Sequence, residues 1–319
     1  MMTSAGIITS TVTKGYPKRF GLSGVFLRMA LHNDPNWMRA GHWFQNSTSG
    51  DFAILGVGAS KSAITPNNAD KTPHAIRDAL LKFSTYFAES DIDLAERLTA
   101  VDLGNLPNPD SQAECIEKIS EINNKHLVLL GGDNSITYSG VMGLANKVGI
   151  KKIGVITLDA HHDLRDGISN GSPIKQLLDA GLPGNQIVQI GISDFANSKF
   201  YAERAKAAGI KVISRNAIPD QNISVIVSEL FSGLSACEYL YLDIDIDVCD
   251  RSVVPAAPAA LPGGISANQL LNLIFEIAKD SRANHFDITE IDSTIDAPDM
   301  RTVRLAALSI LRIAAAKAL

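Results

Sequence analysis

The chain has 319 residues, 45% of them hydrophobic, and a formal net charge of -5; it can bury one large core or two modest ones, and its scattered lysines and arginines exclude the basic stripe of a nucleic-acid-binding protein. Three widely spaced cysteines, Cys115, Cys237 and Cys249, form no CxxC pair, which argues against a disulfide framework or a zinc site and for buried thiols in a reducing compartment. No stretch reaches the roughly 18 apolar residues of a membrane span, and Met1 to Gly15 is Ser/Thr-rich without the apolar core of a secretory leader, so a cytoplasmic protein with neither a nucleic-acid nor a membrane partner is expected.

Residues 1–50 hold both tryptophans, Trp37 and Trp43, and two histidines, His32 and His42, without a strand or helix period. They read as an N-terminal arm that packs on the main domain or on a neighbouring subunit. The two histidines lack acidic partners at ligand spacing and read as surface or packing residues. From 51 to 319 strands and helices alternate. Phe52 to Gly58 predicts a strand, and Thr72-Pro73 opens a helix, with Thr at the cap and Pro at the first position. Leu98 to Gly104 is a second strand, followed after an Asn/Pro-rich turn by a helix from Ser111 to Asn124. Further strands are expected at Leu127 to Leu130, Ile153 to Leu158, Ile187 to Ile192, Ile210 to Ile213, Tyr239 to Asp245 and Asn284 to Glu290. Helices are expected from near Ser135, around 198–208, 222–232 and 266–280, and over about 301–318. The strands are short continuous apolar runs, as burial on both faces requires. About eight of them alternating with helices predict a mostly parallel sheet in a three-layer α/β/α sandwich.

Polar clusters punctuate the strand ends. Asp159, His161 and Asp163 fall on alternate residues directly after Ile153 to Leu158, and alternate residues of an extended chain share one face. The carboxyl edge of an open α/β sheet is where such folds build sites. Asp243, Asp245 and Asp247 alternate likewise after Tyr239, while Gly131-Gly132-Asp133-Asn134-Ser135 suggests a tight turn into a helix without the Lys of a phosphate loop. A DxHxD set alone could be a solvated strand end. Two acidic alternations in one chain point instead to a cation, because converging carboxylates in a low-dielectric pocket repel each other strongly unless neutralised. Two divalent ions would balance Asp159, Asp163, Asp245 and Asp247, and oxygen-rich ligation with one imidazole favours Mn²⁺ over zinc. His162 faces away from His161 if the strand persists, which predicts packing for it. The residues alone leave the role of Asp243 open.

In order and spacing, Gly131 to Ser135, Asp159-Ala160-His161-His162-Asp163 and Asp245-Ile246-Asp247-Val248-Cys249-Asp250 with Pro255 resemble the three signatures of the ureohydrolase superfamily, which includes arginase, agmatinase and formimidoylglutamase. The resemblance covers about residues 50–319 and implies an arginase-like fold. Within it, the segments Asp159 to Arg165, Asn170 to Pro173 and Gly191 to Ser198 look most like the bacterial formimidoylglutamases of histidine degradation. The resemblance makes Asp159, His161, Asp163, Asp245 and Asp247 ligands of a binuclear Mn²⁺ centre and sets Asp243 aside by register. Asn134 stands where the family's commonest further ligand is histidine; an amide oxygen is a weaker donor, so one ion would be held loosely. Asn170 stands where arginase and agmatinase carry a proton-shuttling histidine, and it cannot titrate near neutral pH.

What the resemblance implies chemically is hydrolysis of the C–N bond of a linear amidine, N-formimidoyl-L-glutamate giving L-glutamate and formamide. Asp163 would carry a proton to the leaving amine, and Glu290 would anchor the cationic formimino group. Arg165, with Lys175 second, is the nearest cation for the substrate carboxylates. Asp194 and Asn197 are expected near the amino-acid end, and Asn170 is also expected to bind substrate. The rival readings are a guanidino-acid amidinohydrolase of guanidinobutyrase or agmatinase type, and a non-catalytic subunit of a hetero-oligomer. A homo-oligomer, trimer or hexamer, is expected, with Trp37 and Trp43 as contacts.

Overall fold

The computed structural model describes residue 34 and residues 36–220 and 222–319. His32 therefore lies outside the described residues. The compact body runs from Arg39 to Leu319, so it begins before the β/α alternation expected from residue 51. Its first helix, α1 (Ala40–Gln45), buries Trp43 and Phe44. Trp43 packs within 6.3 Å of the Phe52 ring and donates its indole N–H to the Leu98 carbonyl at 3.2 Å. It is a core residue of its own chain, which corrects its expected role as a subunit contact.

Eight strands form one sheet: β1 (Phe52–Val57), β4 (Ala100–Asn105), β5 (His126–Gly131), β6 (Ile153–Leu158), β7 (Ile187–Ile192), β8 (Lys211–Ser214), β9 (Tyr239–Asp245) and β10 (Ala283–Thr289). The order is β4-β1-β5-β10-β9-β6-β7-β8, and every neighbouring pair is parallel. Strands β2 (Tyr86–Phe87) and β3 (Ile92–Asp93) make a separate antiparallel hairpin. Burial is continuous along β1, β5, β6 and β7, as it must be when helices cover both faces. Alternate strand residues divide between the two faces of the sheet, where buried apolar residues form three clusters. Ile156 and Leu158 join the helices α2 (Thr72–Leu80), α8 (Ile223–Gly233), α9 (Ala267–Ala278) and α10 (Arg301–Ala318). Ile153 and Val155 join α5 (Ser135–Val148), α6 (Pro173–Asp179) and α7 (Lys199–Ala208) on the other face. The expected three-layer sandwich is what the chain builds. Among the described residues the remaining α-helices are α3 (Leu94–Arg97) and α4 (Gln112–Glu121).

The topology sets the site. Strands β9 and β10 insert between β5 and β6, so four central neighbours, β5, β10, β9 and β6, end side by side. Their register aligns Ile288 with Leu130, Thr289 with Asp245 and Leu158 with Ile244. The residues just beyond these positions converge at one place on the carboxyl edge. The glycine pair Gly131-Gly132 serves close approach here: a Cβ on Gly132 would stand 1.8 Å from the Ala59 carbonyl oxygen. That packs the loop after β1 against the loop after β5.

Candidate metal centre

Asp159, His161 and Asp163 follow β6, Asp245 ends β9 and Asp247 lies in the turn just after it, Asn134 follows β5, and Glu290 follows β10. Ligand atoms of Asp159, His161 and Asp247 lie within 4.8 Å of one another. His161 Nδ1 is 3.0 Å from Asp247 Oδ2 and 3.5 Å from Asp159 Oδ1. The backbone holds these carboxylates in turn: His161 N–H donates to Asp159 Oδ1 at 2.6 Å, and Asp247 N–H donates to Asp245 Oδ1 at 2.9 Å. Asp163 and Glu290 both adopt left-handed backbone, φ 52° and 60°, a conformation that costs a non-glycine residue roughly 1 kcal/mol or more and collects at functional sites.

The charges show what the arrangement needs. Burial, with Asp159 or Asp247 beside them, pushes the Asp163 and Asp245 carboxyls well above the usual carboxylate range. Burial likewise lifts Asp159 to about 6, against the pull of His161. Burial opposes a charge on His161 too, yet the Asp247 and Asp159 carboxylates outweigh it and push its imidazole up to about 12. Asp159 Oδ2 is buried with no hydrogen-bond partner, an oxygen whose desolvation is uncompensated inside the protein. The donor set is oxygen-rich with one imidazole, and it fits a hard-to-borderline divalent cation.

Asn134 sits inside the cluster but presents the wrong atom for a ligand. Its amide nitrogen donates to Asp163 Oδ2 at 2.5 Å, and its oxygen accepts from the Thr137 and Thr289 hydroxyls at 2.8 and 3.1 Å. Turning Oδ1 toward the carboxylates would require the amide to rotate about its last torsion. Asp243, two residues before Asp245, is fully buried opposite Asp287 of β10, and burial with that carboxyl beside it raises its pKa well above the usual carboxylate range.

A cavity of 280 Å³ opens over the cluster, lined among others by His161, Asp163, Arg165, Asn170, Asn197 and Glu290. Glu290 Oε1 accepts from the Asn134 main-chain N–H at 2.7 Å and from the Asn170 amide at 2.9 Å. Burial lifts its carboxyl to about 7 even so. Two expected substrate contacts fall away. Asp194 does not line the cavity, and its carboxylate accepts from Asn216 at 2.9 Å. Lys175 pairs with Asp179 at 2.6 Å on α6. Asn197 lines the cavity with its polar ends already engaged, accepting from His162 N–H and donating to the Ala160 carbonyl, both at 2.9 Å. His162 packs as expected: its Nδ1 meets Gln189 Oε1 at 2.7 Å, and Gln189 donates back to the His162 carbonyl at 2.9 Å.

The sequence reading missed Ile64, Thr65 and Asn67 on the loop after β1, and Ser198 and Tyr201 at the start of α7, all of which line the cavity. The α7 pair could have been found from the Ser198 cap, whose hydroxyl accepts from Tyr201 N–H. The loop after β1 carries no local signal.

Comparison with known proteins places the chain in a family. The formimidoylglutamase of Halalkalibacterium halodurans is 38% identical over 275 residues, 82% of this chain and 85% of the relative. The crystal structure of formimidoylglutamase from Bacillus subtilis superposes with a TM-score of 0.82 at 28% identity, covering 90% of this chain and 94% of that one. Trypanosoma cruzi formiminoglutamase with Mn²⁺ shares the fold, with a TM-score of 0.78 at 17% identity over 89% of this chain and 99% of that one. With the sequence model of the arginase family matching residues 50–315, the chain belongs to the arginase family.

Proposed function

We propose that this protein is a manganese-dependent formimidoylglutamase: N-formimidoyl-L-glutamate and water give L-glutamate and formamide. The observation that carries the reading is Glu290 lining the same cavity as the aspartate cluster, in a chain 38% identical to a formimidoylglutamase. Asp159, His161, Asp163, Asp245 and Asp247 would hold the cations, two in number. When bound, such ions neutralise the carboxylates and lower the pKa of water into the neutral range.

The chain's own groups do the rest. Glu290 takes an N–H of the cationic formimidoyl group through its uncommitted oxygen and fixes the amidine carbon above the cluster. Water adds to that carbon, and the bond from it to the glutamate nitrogen breaks, so the water oxygen leaves in formamide. The departing nitrogen needs a proton, and Asp163, buried beside the reacting atoms, delivers it. Arg165, on the cavity wall, faces a substrate that carries two carboxylates. We carry the same reading to a cytoplasmic homo-oligomer, a trimer or hexamer, whose mass light scattering would measure.

The test is product analysis of the Mn²⁺-loaded protein with N-formimidoyl-L-glutamate beside agmatine, arginine and guanidinobutyrate. Formamide and glutamate are expected, with at least about a hundredfold loss in Asp163→Asn. Urea from a guanidino compound would overturn the substrate. No turnover and no retained metal would favour the non-catalytic subunit.

A further inference from the structure

Glu290 does not have both oxygens to offer. Its Oε1 is engaged twice, by the Asn134 main-chain N–H at 2.7 Å and the Asn170 side-chain amide at 2.9 Å. Among the described residues, none donates to Oε2. The Asn170 amide is held in this orientation from the other side, since its Oδ1 accepts from the Ile64 N–H at 3.0 Å. Its own N–H donates to the Ser62 carbonyl at 3.0 Å. The Glu290 backbone is pinned as well, its N–H donating to the Gly132 carbonyl at 2.9 Å.

We infer that Asn170 is a specificity-determining positioning residue, which occupies Oε1 of Glu290 so that the site accepts a formimidoyl amidine and rejects a guanidino group. The inference rests on the reading that an amidine carbon is attacked beside Glu290. A guanidino group carries an additional NH₂ where the formimidoyl group has a C–H. Both cations can pair with a carboxylate through two parallel N–H to oxygen bonds, so what separates them is the one further NH₂ that the guanidino group must satisfy. Here one oxygen is spent on protein donors, and the Asn170 NH₂ beside it is itself a donor. The additional NH₂ would therefore be buried facing a donor, and a site that leaves a polar group unpaired discriminates strongly. The C–H of the formimidoyl group makes no such demand.

The test uses Asn170→Ala and Asn170→Asp in the Mn²⁺-loaded protein. The aspartate variant keeps an acceptor for the Ile64 N–H and removes the donor to Glu290, so it separates pairing with Glu290 from anchoring of the loop. Ligand-observed NMR titration gives the affinity ratio of formamidinium to guanidinium, and turnover gives the ratio of N-formimidoyl-L-glutamate to its N-carbamimidoyl analogue. Wild type is expected to prefer the amidine in both, and the preference should fall by about tenfold or more in both variants. Equal affinity of wild type for the two ions would overturn the inference. So would variants that weaken both ions alike with the ratio unchanged, which is the signature of a purely structural asparagine. If wild type fails to turn over N-formimidoyl-L-glutamate, the functional reading falls, and the ion ratio still decides the role of Asn170.

Discussion

Asn134 illustrates how much a single atom assignment decides. The cluster offers an amide nitrogen where a sixth ligand would need an oxygen or an imidazole, and Asp163, an acceptor, holds the amide in that sense. Replacing it by histidine supplies a nitrogen ligand of the kind that first-row divalent ions bind well. Asn134→His is expected to retain about tenfold more Mn²⁺ per protomer than wild type after equilibrium dialysis at limiting metal. Equal metal content would mean that this position lies outside the coordination sphere. Spacing alone nominated Asp159, His161 and Asp163 as candidate ligands, and the fold brings ligand atoms of Asp159 and His161 within 4.8 Å of one another and of Asp247. No spacing rule could tell which end of Asn134 faces inward, because Thr137 and Thr289, two hydroxyls distant in the chain, share in that choice.

At the scale of elements, the strands that carry the site were the easiest to read. Continuous apolar runs such as Ile153–Leu158 and Ile187–Ile192 are buried on both faces, so composition and structure coincide there. The hairpin of Tyr86–Phe87 and Ile92–Asp93 was not legible, since strands of two residues have no period. The cavity wall after β1 was hidden for another reason: its anchors come from four distant places. Asp110 accepts from Ser60 and Lys61 N–H at 2.9 Å, Asn170 from Ile64 and Asp292 from Asn68 at 3.0 Å, while Asp133 N–H donates to the Ala59 carbonyl at 2.8 Å. The two residues expected at the substrate from the loop after β7 part ways in the structure. Asn197 acts on the metal loop through His162 and Ala160, whereas Asp194 turns to Asn216. Cutting supports of metal-bearing loops typically costs about 10- to 100-fold in metal affinity or activity. Asn197→Ala is therefore expected to lower kcat/KM by about that factor, and Asp194→Ala to stay within about twofold of wild type. Steady-state kinetics on the two variants would reverse the assignment if the losses came out the other way round.

Taken whole, the molecule places its charges at one edge of the sheet and buries a weak base at the other. His126 is the first residue of β5, the strand whose far end leads to Asn134. It is 3% exposed, and the Phe52 ring lies 6.2 Å away. Burial, with Lys317 and Lys125 nearby, lowers its pKa from 6.5 to about 4. The folded state thus keeps His126 neutral where the unfolded chain would protonate it. Its contribution to stability is complete above pH 6.5 and is lost as the pH falls toward 4. Between pH 7 and pH 5 the loss amounts to about 2 kcal/mol. In the metal-free protein Asp163 and Asp245 act in the opposite sense, because burial raises their folded-state pKa values, and bound cations would change those contributions. A wild-type pH profile alone would mix the two. The difference between wild type and His126→Phe removes the aspartate terms common to both proteins. Denaturant unfolding of the two, metal-loaded, at pH 7 and pH 5 should show the variant gaining about 2 kcal/mol on wild type at the lower pH. A stability difference that does not change with pH would mean that His126 titrates in the folded protein as it does in the unfolded chain.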